Sequence, residues 1–208
     1  MDKRSKIALY SIGAIIVLLM IAEVSKPKAL NWRNSYSTAD KIPLGCFVLY
    51  NELETFTSNP IETSEKTLYE KLKDFPDATN TSLLLINDYI GLEDEGSDAL
   101  LKFVENGNTV FISANYIYGK FADTLNIEID RDYDGFFKDP SKSLFVNKNL
   151  KANEKRFDDV IENSYFTSID TTNAHVLGYM EDDGKLIKEV NFIKTPFGEN
   201  GGCFYIHS

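Results

Sequence analysis

Polar and apolar positions divide this chain near residue 25. Ile7 to Ala22 reads IALYSIGAIIVLLMIA, sixteen residues without a charge. As a helix rising 1.5 Å per residue, that run spans about 24 Å, a little under the hydrocarbon thickness of a bilayer. Lys6 and Lys26 flank it and can snorkel to the two surfaces. The pattern therefore predicts one N-terminal transmembrane helix at residues 7–24. A short flank precedes it at 1–6, a juxtamembrane linker follows at 25–41, and a folded domain fills 42–208. A cleavable signal peptide is the rival reading. It needs small residues at the cleavage site, and the run instead ends in Glu23-Val24-Ser25-Lys26-Pro27-Lys28. The sequence thus favours an uncleaved anchor.

Beyond the linker the apolar runs shorten to strand and helix length. After Pro43-Leu44-Gly45, the run Cys46–Tyr50 reads as a first buried strand, followed by a short helix. Ser64-Glu65-Lys66-Thr67 with Leu68, Tyr69 and Leu72 reads as a capped amphipathic helix that stops before Pro76. Ser82–Asp88 (SLLLIND) is a continuous apolar run of the kind found in strands covered on both faces. Glu93-Asp94-Glu95 puts negative charge in the first turn of a helix, where the macrodipole favours it. Leu100, Leu101, Phe103 and Val104 supply that helix's apolar face, and Gly107 its C′ residue. Thr109–Ala114 (TVFISA) is the next strand, which completes a βαβ unit. A helix is expected around Tyr118–Leu125. From about Asn126 the pattern becomes β-rich, with strands near Tyr165–Ile169, Ala174–Met180 and Leu186–Thr195. Glu181-Asp182-Asp183-Gly184 is a hairpin signal between the last two. The tail GGCFYIHS ends inside a strand-like run, which suggests a chain that continues past residue 208.

Charge sharpens this division. The net charge is −10, yet residues 1–28 hold five basic groups and two acidic ones, leaving 17 basic and 30 acidic groups for the rest. So acidic a domain repels phosphate backbones, and no nucleic-acid partner is expected. Membrane lipid is the expected partner of residues 7–24. Cations lie on both sides of the helix (Lys3, Arg4 and Lys6 before it; Lys26, Lys28 and Arg33 after it), so the positive-inside rule gives only a slight bias. The short N-terminal flank and the acidic domain suit an extracytoplasmic domain. Trp32 belongs either at the membrane interface or on the domain edge.

Candidate chemistry is sparse. Cys46 and Cys203 lie in apolar runs with no C-x-x-C, which favours two buried thiols over a disulfide, although an oxidising compartment would permit one. Asp130, Asp132 and Asp134, followed by Gly135, match the opening of a calcium loop, but position 12 is Ser141 rather than Glu and Pro140 precedes it. A solvated acidic loop is the stronger reading. At the turn after the Thr109–Ala114 strand, Ser113 lacks the flanking glycines of a nucleophile elbow and reads as a strand residue. His175 and His207 are the only histidines, with nothing to assign either to a triad or a metal. No phosphate-binding glycine loop is present, and no cofactor is expected. A crevice at the C-terminal ends of the parallel strands, near Asn51, Asp88 and Asn115, is where an open α/β sheet would bind a ligand.

Residues 31–53 (NWRNSYSTADKIPLGCFVLYNEL), 99–114 (ALLKFVENGNTVFISA) and 191–208 (NFIKTPFGENGGCFYIHS), in that order behind a single anchor, resemble the bacterial family of unknown function numbered 4350. The resemblance implies a flavodoxin-like, glutamine-amidotransferase-like α/β fold with a mostly parallel sheet, exposed from the inner membrane. It implies a second membrane helix further along the chain. Enzymes of related fold use a Cys nucleophile at the elbow, which this sequence lacks. No activity is established for the family, so none is carried over. The expectation is a non-enzymatic binding or scaffold domain within a membrane protein complex; an unconventional hydrolase with its site at the strand ends is the alternative.

Overall fold

The computed structural model describes residues 2–27, 30–57, 59–132, 141–150, 155–157, 163–182 and 188–208. The chain forms two compact units, residues 1–58 and 59–208.

In the first unit, α1 (Lys3–Val24) is long and apolar enough to cross a membrane, and none of its residues is buried. It ends where the Ser25 hydroxyl turns back to the Ile21 carbonyl at 2.7 Å. Residues 30–46 fold into a closed turn. Tyr36 N–H donates to the Leu44 carbonyl at 2.7 Å, and Cys46 N–H to that of Ser37 at 2.9 Å. Asp40 staples the turn by accepting from the Ser35 hydroxyl and from the Arg33 guanidinium at 3.0 Å. The hydroxyl foremost, then Arg33, holds its carboxyl below the ordinary aspartate range against the opposing effect of desolvation. The turn leads into α2 (Phe47–Phe56), where the sequence pattern predicts a strand at Cys46–Tyr50. Leu49, Leu53 and Phe56 continue the run at i, i+4 and i+7, so helical periodicity prevails once the window reaches past Tyr50.

In the second unit, α3 (Leu68–Lys73) starts at a capping box. The Thr67 hydroxyl accepts from Glu70 N–H at 3.3 Å, and the Glu70 carboxylate accepts from Thr67 N–H at 3.1 Å. Next come β1 (Ser82–Ile86), β2 (Tyr89–Gly91), α4 (Asp94–Glu105), β3 (Thr109–Ser113), β4 (Tyr116–Tyr118), α5 (Lys120–Thr124) and β5 (Glu128–Asp132). They are followed by β6 (Ser141–Phe145), β7 (Lys155–Phe157), β8 (Asn163–Ser168), β9 (His175–Asp182), β10 (Glu189–Pro196) and β11 (Cys203–His207). The helix expected from Tyr118 begins only at Lys120, because Tyr118 belongs to β4.

The main sheet runs β1-β3-β11-β10-β9-β6-β7. β1, β3 and β11 pair in parallel, and every pair from β11 to β7 is antiparallel. The fold is therefore mixed α/β, and within the main sheet the expected parallel order holds for β1, β3 and β11. The expected βαβ unit is β1-α4-β3. β9 and β10 pair antiparallel, in keeping with the hairpin expected there; Asp183 and Gly184 of its turn signal lie outside the described residues. β2 and β4 extend the parallel pair past a break, and β5 with β8 makes a separate antiparallel ribbon. β1 proves to be an edge strand with Leu84 41% exposed, so its apolar run is not covered on both faces.

One face of the sheet carries the core. Val110 and Ile112 of β3, Phe204 and Ile206 of β11 and Ile193 of β10 are fully buried in one cluster with Leu100, Val104 and Phe121. Strand alternation sends Phe111, Tyr205 and His207 to the opposite face. There the Phe192 ring lies 6.1 Å from Phe111, 6.4 Å from Tyr205 and 5.9 Å from His207, mostly edge-on.

Asn108, fully buried between α4 and β3, joins these parts. Its Nδ2 donates to the Ala78 and Phe103 carbonyls at 2.6 and 2.8 Å, and its Oδ1 accepts from Thr81 N–H at 2.8 Å. Its main-chain carbonyl accepts from Cys203 N–H at 3.2 Å. The backbone crowding is severe here. Gly107 sits at φ +93°, and a Cβ on Gly202 would stand 1.8 Å from the Val104 carbonyl oxygen. Asn108→Ala leaves the buried Phe103 bond unmade and removes the side-chain partners of the Ala78 carbonyl and the Thr81 N–H. It should lower the unfolding free energy of the full chain by about 3 kcal/mol in a denaturant titration followed by circular dichroism.

Candidate functional site

Strand-end positions in parallel α/β sheets collect ligands because no strand continues past them. In this chain the ends of β1 and β3 bring together two of the three crevice residues expected from sequence. Asn115 Nδ2 donates to Asp88 Oδ1 at 2.8 Å. Asn51 belongs to the first unit, exposed on α2, where its Nδ2 donates back to the Phe47 carbonyl at 2.7 Å.

Three residues that sequence reading missed complete the group. Arg131 donates from a terminal guanidinium nitrogen to Asp88 Oδ1 at 3.0 Å, and its side chain is only 8% exposed. The guanidinium stacks 4.0 Å from the centre of the Tyr116 ring. Ser164, paired opposite Arg131 in the β5–β8 ribbon, donates from its hydroxyl to Asn115 Oδ1 at 3.1 Å. The strand-end carboxylate is thus taken up by an amide and a guanidinium, and the network ties the β5–β8 ribbon to the parallel strands. Arg131 was hidden inside the apparent calcium motif. In a strand it alternates with Asp130, a signal available only once that segment is read with period 2.

Asp130 and Asp132 lie in β5 rather than in a loop, and Asp134 with Gly135 lies outside the described residues. Asp130 lines an open depression of about 400 Å³ with Asp123, Glu128, Tyr118 and Thr167. Among the described residues no three His, Cys, Asp or Glu side chains are placed to share a metal ion. Both cysteines are free thiols: Cys46 is half-buried just before α2, with its thiol pushed up by desolvation, and Cys203 is buried at the start of β11. His175 is exposed at the start of β9.

His207 has more structure around it. Ser113 and His207 are register partners on β3 and β11, with Ser113 Oγ 3.4 Å from His207 Nδ1. Burial of the ring pushes its pKa below the usual 6.5, so it is neutral near pH 7. Lowering the pH from 6.5 toward the depressed folded-state value lets the unfolded chain take up a proton that the folded chain refuses, so stability is lost over that window and is intact above it. Denaturant midpoints of the full chain should therefore fall between pH 7 and pH 5, and the His207→Gln chain should show a smaller fall.

A model of the family described as "Domain of unknown function (DUF4350)" matches residues 38–188. No curated protein matches. Among solved structures the chain is similar to the "mmIFT52 N-terminal domain", at 10% identity and a TM-score of 0.47, covering 78% of this chain and 77% of that one. It is also similar to "Exo-beta-1,4-mannosidase Op5Man5 from Opitutaceae bacterium strain TAV5", at 12% identity and a TM-score of 0.42, covering 88% of this chain and 30% of that one. The family match spans well over half of the sequence, and the chain belongs to the DUF4350 family of unknown function.

Proposed function

We propose that this chain is a single-pass protein of a bacterial inner membrane, held by an uncleaved α1. Its flavodoxin-like, amidotransferase-like domain stands in the periplasm and works as a non-enzymatic binding or scaffold module of a membrane complex. The observation that carries the reading is α1 itself. Its apolar run has no charge from Ile7 to Ala22, and none of its residues is covered by protein. In water such a helix would leave a large apolar surface exposed, which bilayer hydrocarbon removes. Support for binding over turnover comes from the strand ends, where Asp88 is committed to Asn115 and Arg131.

Three properties follow for the chain in native membranes. It should stay in the pellet after alkaline carbonate extraction, its intact mass should include residues 1–25, and protease added to spheroplasts should degrade the domain. Release by carbonate, loss of the N-terminus, or protection from protease would each contradict the corresponding part.

A hydrolase is the second reading, and Ser113 beside His207 is what favours it, since a neutral imidazole can accept a hydroxyl proton. A fluorophosphonate probe decides between the two. Binding without turnover predicts no labelling of the full chain, whereas labelling that disappears in Ser113→Ala would establish the hydrolase.

A further inference from the structure

We propose that Leu30 and Trp32 form a second, interfacial anchor, seated in the headgroup layer of the same bilayer that α1 crosses and on the side of the folded domain. The inference rests on the reading of α1 as a retained span.

The uncharged run of α1 is short for a full crossing, since sixteen residues reach about 24 Å and the hydrocarbon core is about 30 Å thick. A short span is compensated by apolar and amphipathic groups at its ends. Leu30 and Trp32 are two such groups, 63% and 58% exposed, in the same unit as α1. Leu30 is six residues beyond Val24, which limits it to about 20 Å from the end of the helix. A tryptophan suits this layer because its ring is apolar and its indole N–H seeks a polar partner.

Charge selects lipid over a protein surface. Residues 26–33, KPKALNWR, carry Lys26, Lys28 and Arg33 and no acid; with Lys26 paired to Glu23 and Arg33 to Asp40, the stretch from residue 23 to 40 keeps a net positive charge, which suits anionic headgroups. The nearest downstream acid, Asp40, has its charge paired by Arg33 and also accepts from the Ser35 hydroxyl. That staple also closes residues 33–40 on themselves, which presents the Leu30–Trp32 stretch from a fixed base rather than from a free tether.

Trp32 is the sole tryptophan of the chain, so intrinsic fluorescence reports on this residue alone. The full chain is reconstituted into vesicles of phosphatidylcholine and phosphatidylglycerol and floated on a density gradient, which tests the span by itself. In the floated vesicles, Trp32 emission should be blue-shifted relative to free tryptophan. Acrylamide should quench it severalfold less, and lipids with a nitroxide near the headgroup should quench it more than lipids labelled deep in the tail. Leu30→Asp should reverse these effects while the chain still floats. Flotation with Trp32 as open to acrylamide as free tryptophan overturns the interfacial anchor and leaves the span standing. Protection from both acrylamide and nitroxide lipids also overturns it, because the ring would then be packed against protein. A chain that does not float overturns both readings.

Discussion

Three segments of the folded domain meet at one side-chain amide. Asn108 gives both N–H donors to the carbonyls of Ala78 and Phe103 and accepts from the main chain of Thr81. It thereby fixes the end of α4, the approach to β1 and the start of β3 relative to one another. Its own carbonyl receives Cys203 N–H, which starts β11 in register beside β3. A fully buried amide has no water to fall back on, so each of these bonds is obligatory once the core closes. Everything downstream inherits that register, including the alignment of Ser113 with His207 and the position of the strand ends.

The strand ends are where a sheet of this kind would hold a ligand, and here one carboxylate oxygen of Asp88 is already bonded to protein. Asp88 and Asn115 face each other across the parallel pair, and Arg131 and Ser164 from the β5–β8 ribbon complete the bonding. A guanidinium this deeply buried is kept by a carboxylate and an aromatic face together, and both are present. The chain divides by charge, with 17 basic and 30 acidic groups after residue 28 and the cations Lys26, Lys28 and Arg33 just beyond α1.

Much of this architecture is legible along the chain, and what is not has a physical reason. The βαβ unit reads clearly because Leu100, Leu101, Phe103 and Val104 repeat with helical spacing and Gly107 ends the helix where a positive φ is required. α2 misleads because five apolar residues in a row suit a strand and a helix equally until Leu53 and Phe56 are counted. The mixed sheet is hidden for a different reason. β11 slots between β3 and β10, and its contact with Ser113 joins positions 94 residues apart, which no local pattern encodes. At the site, Asp88 and Asn115 are visible as residues following apolar strands. Arg131 is not, since the aspartates around it imitate a metal loop; Asn51 lies on α2, the element whose apolar run reads as a strand.

On the proposed reading, the strand-end network belongs to the fold rather than to a site kept free for chemistry. Residues held ready for a substrate usually cost stability, and replacing them stabilises the fold. Residues that complete a buried pair behave the opposite way, because removing one leaves the other charge uncompensated. The unfolding free energy of Asp88→Ala, measured by denaturant titration of the full chain at pH 7, separates the two. A loss of about 2 kcal/mol is expected if the network belongs to the fold; a chain as stable as the original, or more stable, would contradict it.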